Sequence, residues 1–476
     1  MTFRPERYRA LVDDWGAFSA SLRRPLPLTL WANPLRTTPE EARRWLEAEG
    51  LHPEPLPWRP GAFRLPPGEA PAPGSLLATV AGLVHVQEEV SLLPVALLDP
   101  RPGERVIDLC AAPGSKASQI AAAMAGRGTL VANDADWRRQ ASLGRNLERL
   151  GAENAVLTVY DAANFPEAGG PFDRVLADVP CTCEGTSRKN PEVFTWGDES
   201  DRPDTVRTQR AILRKAVRLC RPGGRIVYST CTYAPEENEA VIDSVLREAP
   251  PGGLRVLEAR IEGLRSVPGV PAWEGEAFDP ALARAMRVWP HANDTGGFFV
   301  AVLEKGGGEP GAAREPELLE LEPVDAEPWL APVRERFGLA PELFAGRQLV
   351  PRGRGVLAMV SDDLRAPARP EPSSLGLAFL YREMRNPKLT TAAAMAFGAA
   401  ATRSFVELDE GELRRYLARQ DQELPADRVE AGSEPGYVLA RHRGVCFGVG
   451  WLRPATAGGR ASLRSLFPKR WAASGE

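Results

Sequence analysis

Arg105-Val106-Ile107-Asp108-Leu109-Cys110-Ala111-Ala112-Pro113-Gly114-Ser115-Lys116 is the stretch whose reading decides the fold. It opens with a short apolar run of the kind buried in the middle of a sheet. Small residues follow, which let a backbone approach a ligand closely, and a helix N-terminus comes next. Outward from this stretch the pattern repeats. Thr129-Leu130-Val131-Ala132-Asn133-Asp134 and Val156-Leu157-Thr158-Val159-Tyr160-Asp161 read as strands, as do Arg174-Val175-Leu176-Ala177-Asp178 and Arg225-Ile226-Val227-Tyr228-Ser229-Thr230. Helical segments such as Trp137 to Leu150 lie between them. The alternation predicts an α/β fold with a parallel, doubly wound, Rossmann-like sheet. Ligands on such sheets bind at the carboxyl ends of the strands. Those ends carry Asp108, Asp134, Asp161 and Asp178, and the last strand runs into Cys231.

Around this unit the chain divides by composition. Residues 1–85 read as a small α+β unit: a helix starting at Arg7, a strand over Leu26 to Trp31, and a Thr38-capped helix ending near Gly50. A Pro-rich stretch, Pro66 to Pro73, punctuates it. Residues 86–305 hold the repeated strand and helix pattern. Gly306-Gly307-Gly308-Glu309-Pro310-Gly311 opens a linker over 306–324. Residues 325–476 carry short strands, Val356 to Val360 and Cys446 to Trp451 among them.

The composition excludes several classes. With 476 residues, 43% hydrophobic and 26% charged, the chain has material for packed cores and is not disordered or fibrous. The longest uncharged apolar stretch of note, Leu389 to Thr402, falls short of the ~18 residues a membrane span needs. No signal peptide is visible, and six cysteines without one predict a reducing, cytoplasmic setting. Net charge is −4. The end from Arg441 nevertheless carries seven basic residues against Glu476, so a phosphate-binding surface is expected there.

The loop at Cys110–Lys116 is neither GxGxxG nor a P-loop. Asp134 is placed to accept from ribose hydroxyls. Without a pyrophosphate loop, the natural ligand is a nucleoside without phosphates, S-adenosylmethionine first among them. Cys110, Ala111, Ala112, Pro113, Gly114, Ser115, Lys116, Asp134 and Asp178 would line its site, and Asp161 would hold the adenine amino group. Asp178-Val179-Pro180-Cys181-Thr182-Cys183 contains a bare Cys-x-Cys. None of the four histidines (His52, His85, His291, His442) lies near a cysteine pair at ligand spacing, so no metal site is expected. Pro235-Glu236-Glu237 after Cys231 reads as a helix start, which would stabilise a thiolate there.

These motifs resemble the RNA cytosine carbon-5 methyltransferases of the Nop2/Sun group. The resemblance spans Val86 to Lys305. It rests on His85-Val86-Gln87-Glu88, Cys110 to Lys116, Asp178-Val179-Pro180-Cys181, Ser229-Thr230-Cys231, Trp289-Pro290-His291 and Gly296-Gly297-Phe298-Phe299. The flanking regions resemble the bacterial branch acting on 16S ribosomal RNA, in which the C-terminal region carries a PUA-like RNA-binding domain.

The resemblance implies S-adenosylmethionine as cofactor and four catalytic groups. Cys231 would be the thiolate that attacks carbon 6 of cytosine, because carbon 5 alone is too weak a nucleophile. Asp178 would meet ring nitrogen 3, and Lys116 would be a polar group beside the base. Cys181 would serve release of the adduct. It also implies that Arg188-Lys189-Asn190 form a basic loop against RNA phosphates, and that the N-terminal unit faces RNA. One position departs from the family's Pro-Cys-Ser/Thr-Gly-x-Gly pattern: Cys183 stands where the first glycine is usual.

The expected partner is 16S rRNA or the 30S subunit, met by a monomer with no membrane involved. Three other readings compete. Transfer RNA is an alternative substrate. A DNA cytosine methyltransferase would need a Glu-Asn-Val motif, which is absent. A non-catalytic ribosome-assembly factor would be expected to lose Cys231 or the cofactor loop, and both are intact.

Overall fold

The computed structural model describes residues 4–471, apart from 67, 69–72, 195–201, 308–314, 354, 385, 387, 426–427, 429–433, 456–458 and 470. Most of the Pro-rich stretch, the opening of the linker, and the terminal Arg470 and Glu476 therefore lie outside the described residues.

The N-terminal unit contains α1 (Trp15–Ser21), α2 (Pro39–Ala48), α3 (Leu77–Val80) and an antiparallel sheet, and α4 (Leu93–Leu98) and α7 (Arg202–Leu219) pack on the larger sheet that follows. Its strands are β1 (Thr29–Ala32), β2 (Glu54–Pro55), β3 (Ala62–Arg64) and β4 (Val84–Val86), in the order β2-β3-β1-β4. Thr38 and Glu41 form a reciprocal capping box at α2, as the sequence predicts. The helix expected from Arg7 does not form. Pro5–Tyr8 makes a single 3₁₀ turn, and α1 starts where Asp14 accepts from the Ala17 N–H at 2.8 Å. Tyr8 is instead drawn inward, donating to Glu184 at 2.6 Å.

The strand pattern of the middle region gives β5 (Arg105–Asp108), β6 (Thr129–Asn133), β7 (Ala155–Thr158), β8 (Phe172–Asp178) and β9 (Cys220–Thr230). All pair in parallel, in the order β9-β8-β5-β6-β7. The strands are buried on both faces, as parallel strands sandwiched between helices must be. β9 starts earlier than the Arg225 its apolar run suggests and takes in Arg221-Pro222-Gly223-Gly224: Phe172 pairs with Cys220, and the ladder slips before Arg174 meets Arg225. The sheet continues through β10 (Leu254–Leu257), β11 (Val267–Pro268), β14 (Met286–Val288) and β15 (Phe298–Lys305), with a hairpin of β12 (Ala272–Trp273) and β13 (Glu276–Ala277) alongside. β15 runs antiparallel to β9. Strand order reverses at β5, between β6 and β8, and opens the crevice where this class of sheet binds ligands.

The C-terminal region holds two sheets. One is β16 (Arg347–Pro351), β17 (Val356–Ser361) and β19 (Leu377–Tyr381). The other combines β20 (Phe405–Glu407), β21 (Gln422–Leu424), β22 (Gly436–His442), β23 (Val445–Arg453) and β24 (Ala461–Ser465). The short strand β18 (Ser374–Leu375) leaves this region and pairs with β7 on the catalytic sheet. The second half of the expected linker is docked too. Glu317 donates its N–H to Ala168 O, and Leu319 and Leu321 pack on the central core.

The two ends of the chain share one core. Leu30, Trp45, Leu46, Phe63 and Leu83 cluster with Leu413, Tyr416, Phe447, Leu452 and Phe467. The Trp45 ring lies 5.8 Å from His442 and 6.3 Å from Phe447. The basic end is therefore not an appended arm. Arg441 packs over Phe405 and pairs with Glu407, and Arg460 faces Glu423. Arg443, Arg453, Arg464 and Lys469 are exposed. Among the described residues no helix is long and apolar enough to cross a membrane.

Candidate active site

The loop after β5 turns into α5 (Ser115–Ala123) at Gly114, whose φ of +109° favours glycine. A Cβ there would also come within 3.1 Å of Leu143 on α6 (Trp137–Leu150). The loop is tied down on both sides. Ala111 N–H donates to Asn133 O at 2.7 Å, and Ala112 N–H donates to Asp134 at 3.0 Å. His85, on β4, holds Ser115 through one ring nitrogen at 3.0 Å and meets Arg149 through the other at 2.8 Å. Burial, helped by the Arg149 charge, pushes this imidazole down to about 3, so it stays neutral and acts as a brace.

Asp134 is buried, with its carboxylate also accepting from Asp136 N–H. A carboxylate has about four acceptor positions, so capacity for ribose hydroxyls remains. Asp161 sits exposed at the end of the neighbouring loop. Its oxygens cap a short turn, accepting from Ala163 N–H and the Asn164 amide. Small residues, a left-handed glycine and a buried acid at adjacent strand ends thus form a cradle that fits S-adenosylmethionine.

Asp108 adds a group that the sequence reading placed at a strand end without giving it a role. Burial and then the Asp178 charge push its carboxyl up to about 8, with Lys116 opposing. It is therefore largely protonated at neutral pH in the free protein. A cationic ligand in the cradle favours its ionised form. Cofactor binding is expected to expel a proton and to strengthen as pH rises towards about 8, levelling above it. Calorimetry in buffers of different ionisation enthalpy reads the proton directly. Asp108→Asn should abolish the buffer dependence, and a buffer-independent heat in the unaltered protein would overturn the assignment.

Across the crevice, Lys116 Nζ lies 2.8 Å from Asp178 Oδ2. Ser229, on β9, donates to Asp178 Oδ1 at 2.7 Å. Burial opposes the Lys116 charge, but Asp178, Cys231 and Asp108 outweigh it and raise the ammonium above its usual range. Cys181 Sγ and Cys231 Sγ are 3.5 Å apart at the ends of neighbouring strands. A hydrogen bond from Cys181 favours the Cys231 thiolate. The negative charge drawn to Cys183 by its two neighbouring thiols, burial and the Asp178 charge outweigh that bond, so the Cys231 thiol lies well above its ordinary range. Cys110 is also raised, by burial and then by Asp108, Asp178 and Asp134, which leaves it an inert thiol.

The helix start expected at Pro235 is not there. Ala234 to Asn238 form a turn, and α8 begins at Glu239 (Glu239–Glu248). Side chains capture the intervening groups. Asn238 donates to Thr232 O and accepts from Thr230, while Tyr228 donates to Glu237 O. Glu237 itself turns inward to receive the Thr182 N–H and hydroxyl at 3.0 and 2.7 Å. The turn ahead of the helix therefore braces the two cysteine loops against each other. The expectation of no metal site also meets a different arrangement. The fold brings the sulfurs of Cys181, Cys183 and Cys231 within 4.8 Å of one another, which local spacing could not reveal.

The remaining motif residues build the scaffold. Gly185 donates to Cys231 O at 2.8 Å and accepts from Gly297 N–H at 2.9 Å. A Cβ on Gly297 would fall 2.0 Å from the Tyr233 ring, so the approach demands glycine. Arg188, expected against RNA phosphates, is buried. It donates to the carbonyls of Arg24, Pro25 and Thr295 and pairs with Asp294 at 2.7 Å. It fastens the N-terminal unit to the catalytic loop. Arg188→Ala is expected to cost ~2–4 kcal/mol, because it strands several acceptors at once. Urea denaturation measures this, and a change within the ~0.5 kcal/mol of a surface substitution would contradict it.

Fold and cradle together define an S-adenosylmethionine-dependent methyltransferase. A family model described as 16S rRNA methyltransferase RsmB/F matches residues 95–304. Ribosomal RNA small subunit methyltransferase F of Aeromonas salmonicida is 31% identical over 454 residues, spanning 91% of this chain and 90% of that one. The chain belongs to this RsmB/F family of RNA methyltransferases. The tRNA (cytosine(49)-C(5))-methyltransferase of Pyrococcus abyssi is 36% identical over 305 residues, covering 63% of this chain and 94% of that protein. The crystal structure of a methyltransferase homolog from Pyrococcus horikoshii superposes with a TM-score of 0.55 at 31% identity, covering 63% of this chain and 93% of that one.

Proposed function

We propose that this protein forms 5-methylcytosine in 16S ribosomal RNA through a covalent adduct between Cys231 and the target base. The observation that carries the reading is the Cys181–Cys231 sulfur pair, 3.5 Å apart, at the same strand ends as the Lys116–Asp178 pair. Cys231 attacks carbon 6 of a flipped-out cytosine, which makes carbon 5 enamine-like. The Lys116 ammonium favours the Cys231 thiolate as it forms. Asp178, oriented by Ser229 and Lys116, passes the proton released by the Cys231 thiol to ring nitrogen 3 and pairs with the N–H so formed, which neutralises the adduct. Bound S-adenosylmethionine supplies the methyl group as a sulfonium, held by the Cys110–Lys116 loop and Asp134. Cys181 assists the step in which the carbon 5 proton leaves and the Cys231–carbon 6 bond breaks. Fixing thiol, acid and methyl donor around one base accounts for much of the rate.

The relative from Aeromonas salmonicida matches this chain nearly end to end, including the C-terminal region. That supports the small-subunit substrate; a PUA-like RNA-binding domain within residues 325–476 and a monomer working in the cytoplasm belong to the same proposal. The Pyrococcus abyssi relative matches only the shorter portion and supports transfer RNA as the second reading. The deciding experiment offers naked 16S rRNA, 30S subunits and bulk tRNA with labelled S-adenosylmethionine and maps the labelled base. Label at carbon 5 of a 16S cytosine is the expected result. Label confined to tRNA would replace the substrate, and label at any other atom would overturn the chemistry.

A further inference from the structure

We propose that Cys181, Cys183 and Cys231 form a three-sulfur binding site for a thiophilic closed-shell cation, zinc(II), and that its occupation silences the enzyme. The three Sγ atoms lie within 4.8 Å of one another, and two of them are already 3.5 Å apart. Zinc–sulfur bonds of about 2.3 Å in tetrahedral geometry place sulfurs about 3.8 Å apart. Closing the triangle therefore needs a shift of about 1 Å at most. All three cysteines are partly exposed residues at the strand ends that face the crevice.

The sulfurs come from two loops whose spacing is held independently of them. Thr182 bonds Thr232 at 2.8 Å and Glu237 at 2.7 Å, and Gly185 bonds Cys231 O at 2.8 Å. Cys183 has a φ of 57°, a left-handed conformation that favours glycine. The Cys183 carbonyl accepts from the Thr186 N–H at 2.9 Å and the Thr186 hydroxyl at 2.8 Å, which fixes the turn and keeps the third sulfur beside the other two. Among the described residues no histidine or carboxylate joins the cluster, so the fourth position stays open for water. That is the pattern of an exchangeable site, not of a closed structural one.

Each thiol gives its proton to solvent as its bond to zinc forms, and a metal-bound Cys231 cannot attack carbon 6. The binding stands on the geometry alone; the silencing rests on reading Cys231 as the nucleophile.

The test uses the full chain, stripped of metal and kept reduced with a phosphine. Zinc is titrated against a chromophoric chelator, and cobalt(II) absorption reports thiolate ligation. One zinc per chain is expected, with a cobalt–thiolate band. Cys183→Gly suits the left-handed backbone and should weaken binding by more than the roughly 10–100-fold that loss of an outer-shell partner costs. Cys183→Ser should do the same, which separates loss of sulfur from loosening of the loop. Zinc inhibition of methyl transfer, scored against each protein's own metal-free rate, should weaken in step. Equal zinc affinity in the unaltered protein and both variants, or no stoichiometric binding in any, overturns the proposal. Tight three-thiolate binding together with full methyl transfer by Cys231→Ala would leave the metal site standing and remove only the nucleophile assignment.

Discussion

Cys231→Ala is expected to lower methyl transfer by at least about 10⁴-fold, the scale on which removing an enzyme's nucleophile acts. Cytosine carbon 5 takes no methyl group without a nucleophile on carbon 6, and the proposed mechanism gives that role to Cys231. Cys110 is held as an inert thiol among three aspartates. Cys181 lies on the neighbouring loop, where its own thiol is likewise raised by the adjacent cysteines and by burial. The substitution removes one sulfur from a partly buried position, so the cradle at Cys110–Lys116 should keep its cofactor affinity. Labelled methyl incorporation and calorimetry with S-adenosylmethionine measure the two properties side by side. Residual activity near that of the unaltered enzyme would end the covalent mechanism.

Cys181→Ala should behave in the opposite way. Addition and methyl transfer proceed, but breakdown of the adduct slows. Protein and RNA should then migrate together on a denaturing gel, with the bond mapped to Cys231. The 3.5 Å separation of the two sulfurs is what makes the roles separable. Groups this close share the reacting base, yet only one has to bond to it. Normal turnover by Cys181→Ala, with no trapped complex, would reverse or dissolve the division of labour.

Much of the catalytic sheet was legible because each strand is short, apolar on both faces and closed by a turn or a capped helix. The residues facing the crevice were legible for the same reason, since strand ends in such a sheet converge. What was not legible depended on side chains reaching across the fold. Pro235-Glu236-Glu237 has every local mark of a helix start. Asn238 and Glu237 spend their hydrogen bonds on the cysteine loops instead, and the helix begins later. Arg188 looked like a surface cation, but it answers carbonyls that the sequence places far away, at Arg24, Pro25 and Thr295. The raised Asp108 carboxyl needed the knowledge that Asp178 lies beside it in space.

The shared core of the two chain ends has a consequence for how the protein is made. Trp45, Leu46 and Phe63 leave the ribosome long before the residues of β22 to β24 that cover them. Domains usually fold as units during synthesis. This one must wait, with part of its apolar face open, until β22 to β24 have emerged. Nascent chains arrested before Gly436 should therefore hold a protease-resistant central sheet and a protease-sensitive beginning. The N-terminal unit would gain protection only once β22 to β24 have emerged, at the same moment as those strands.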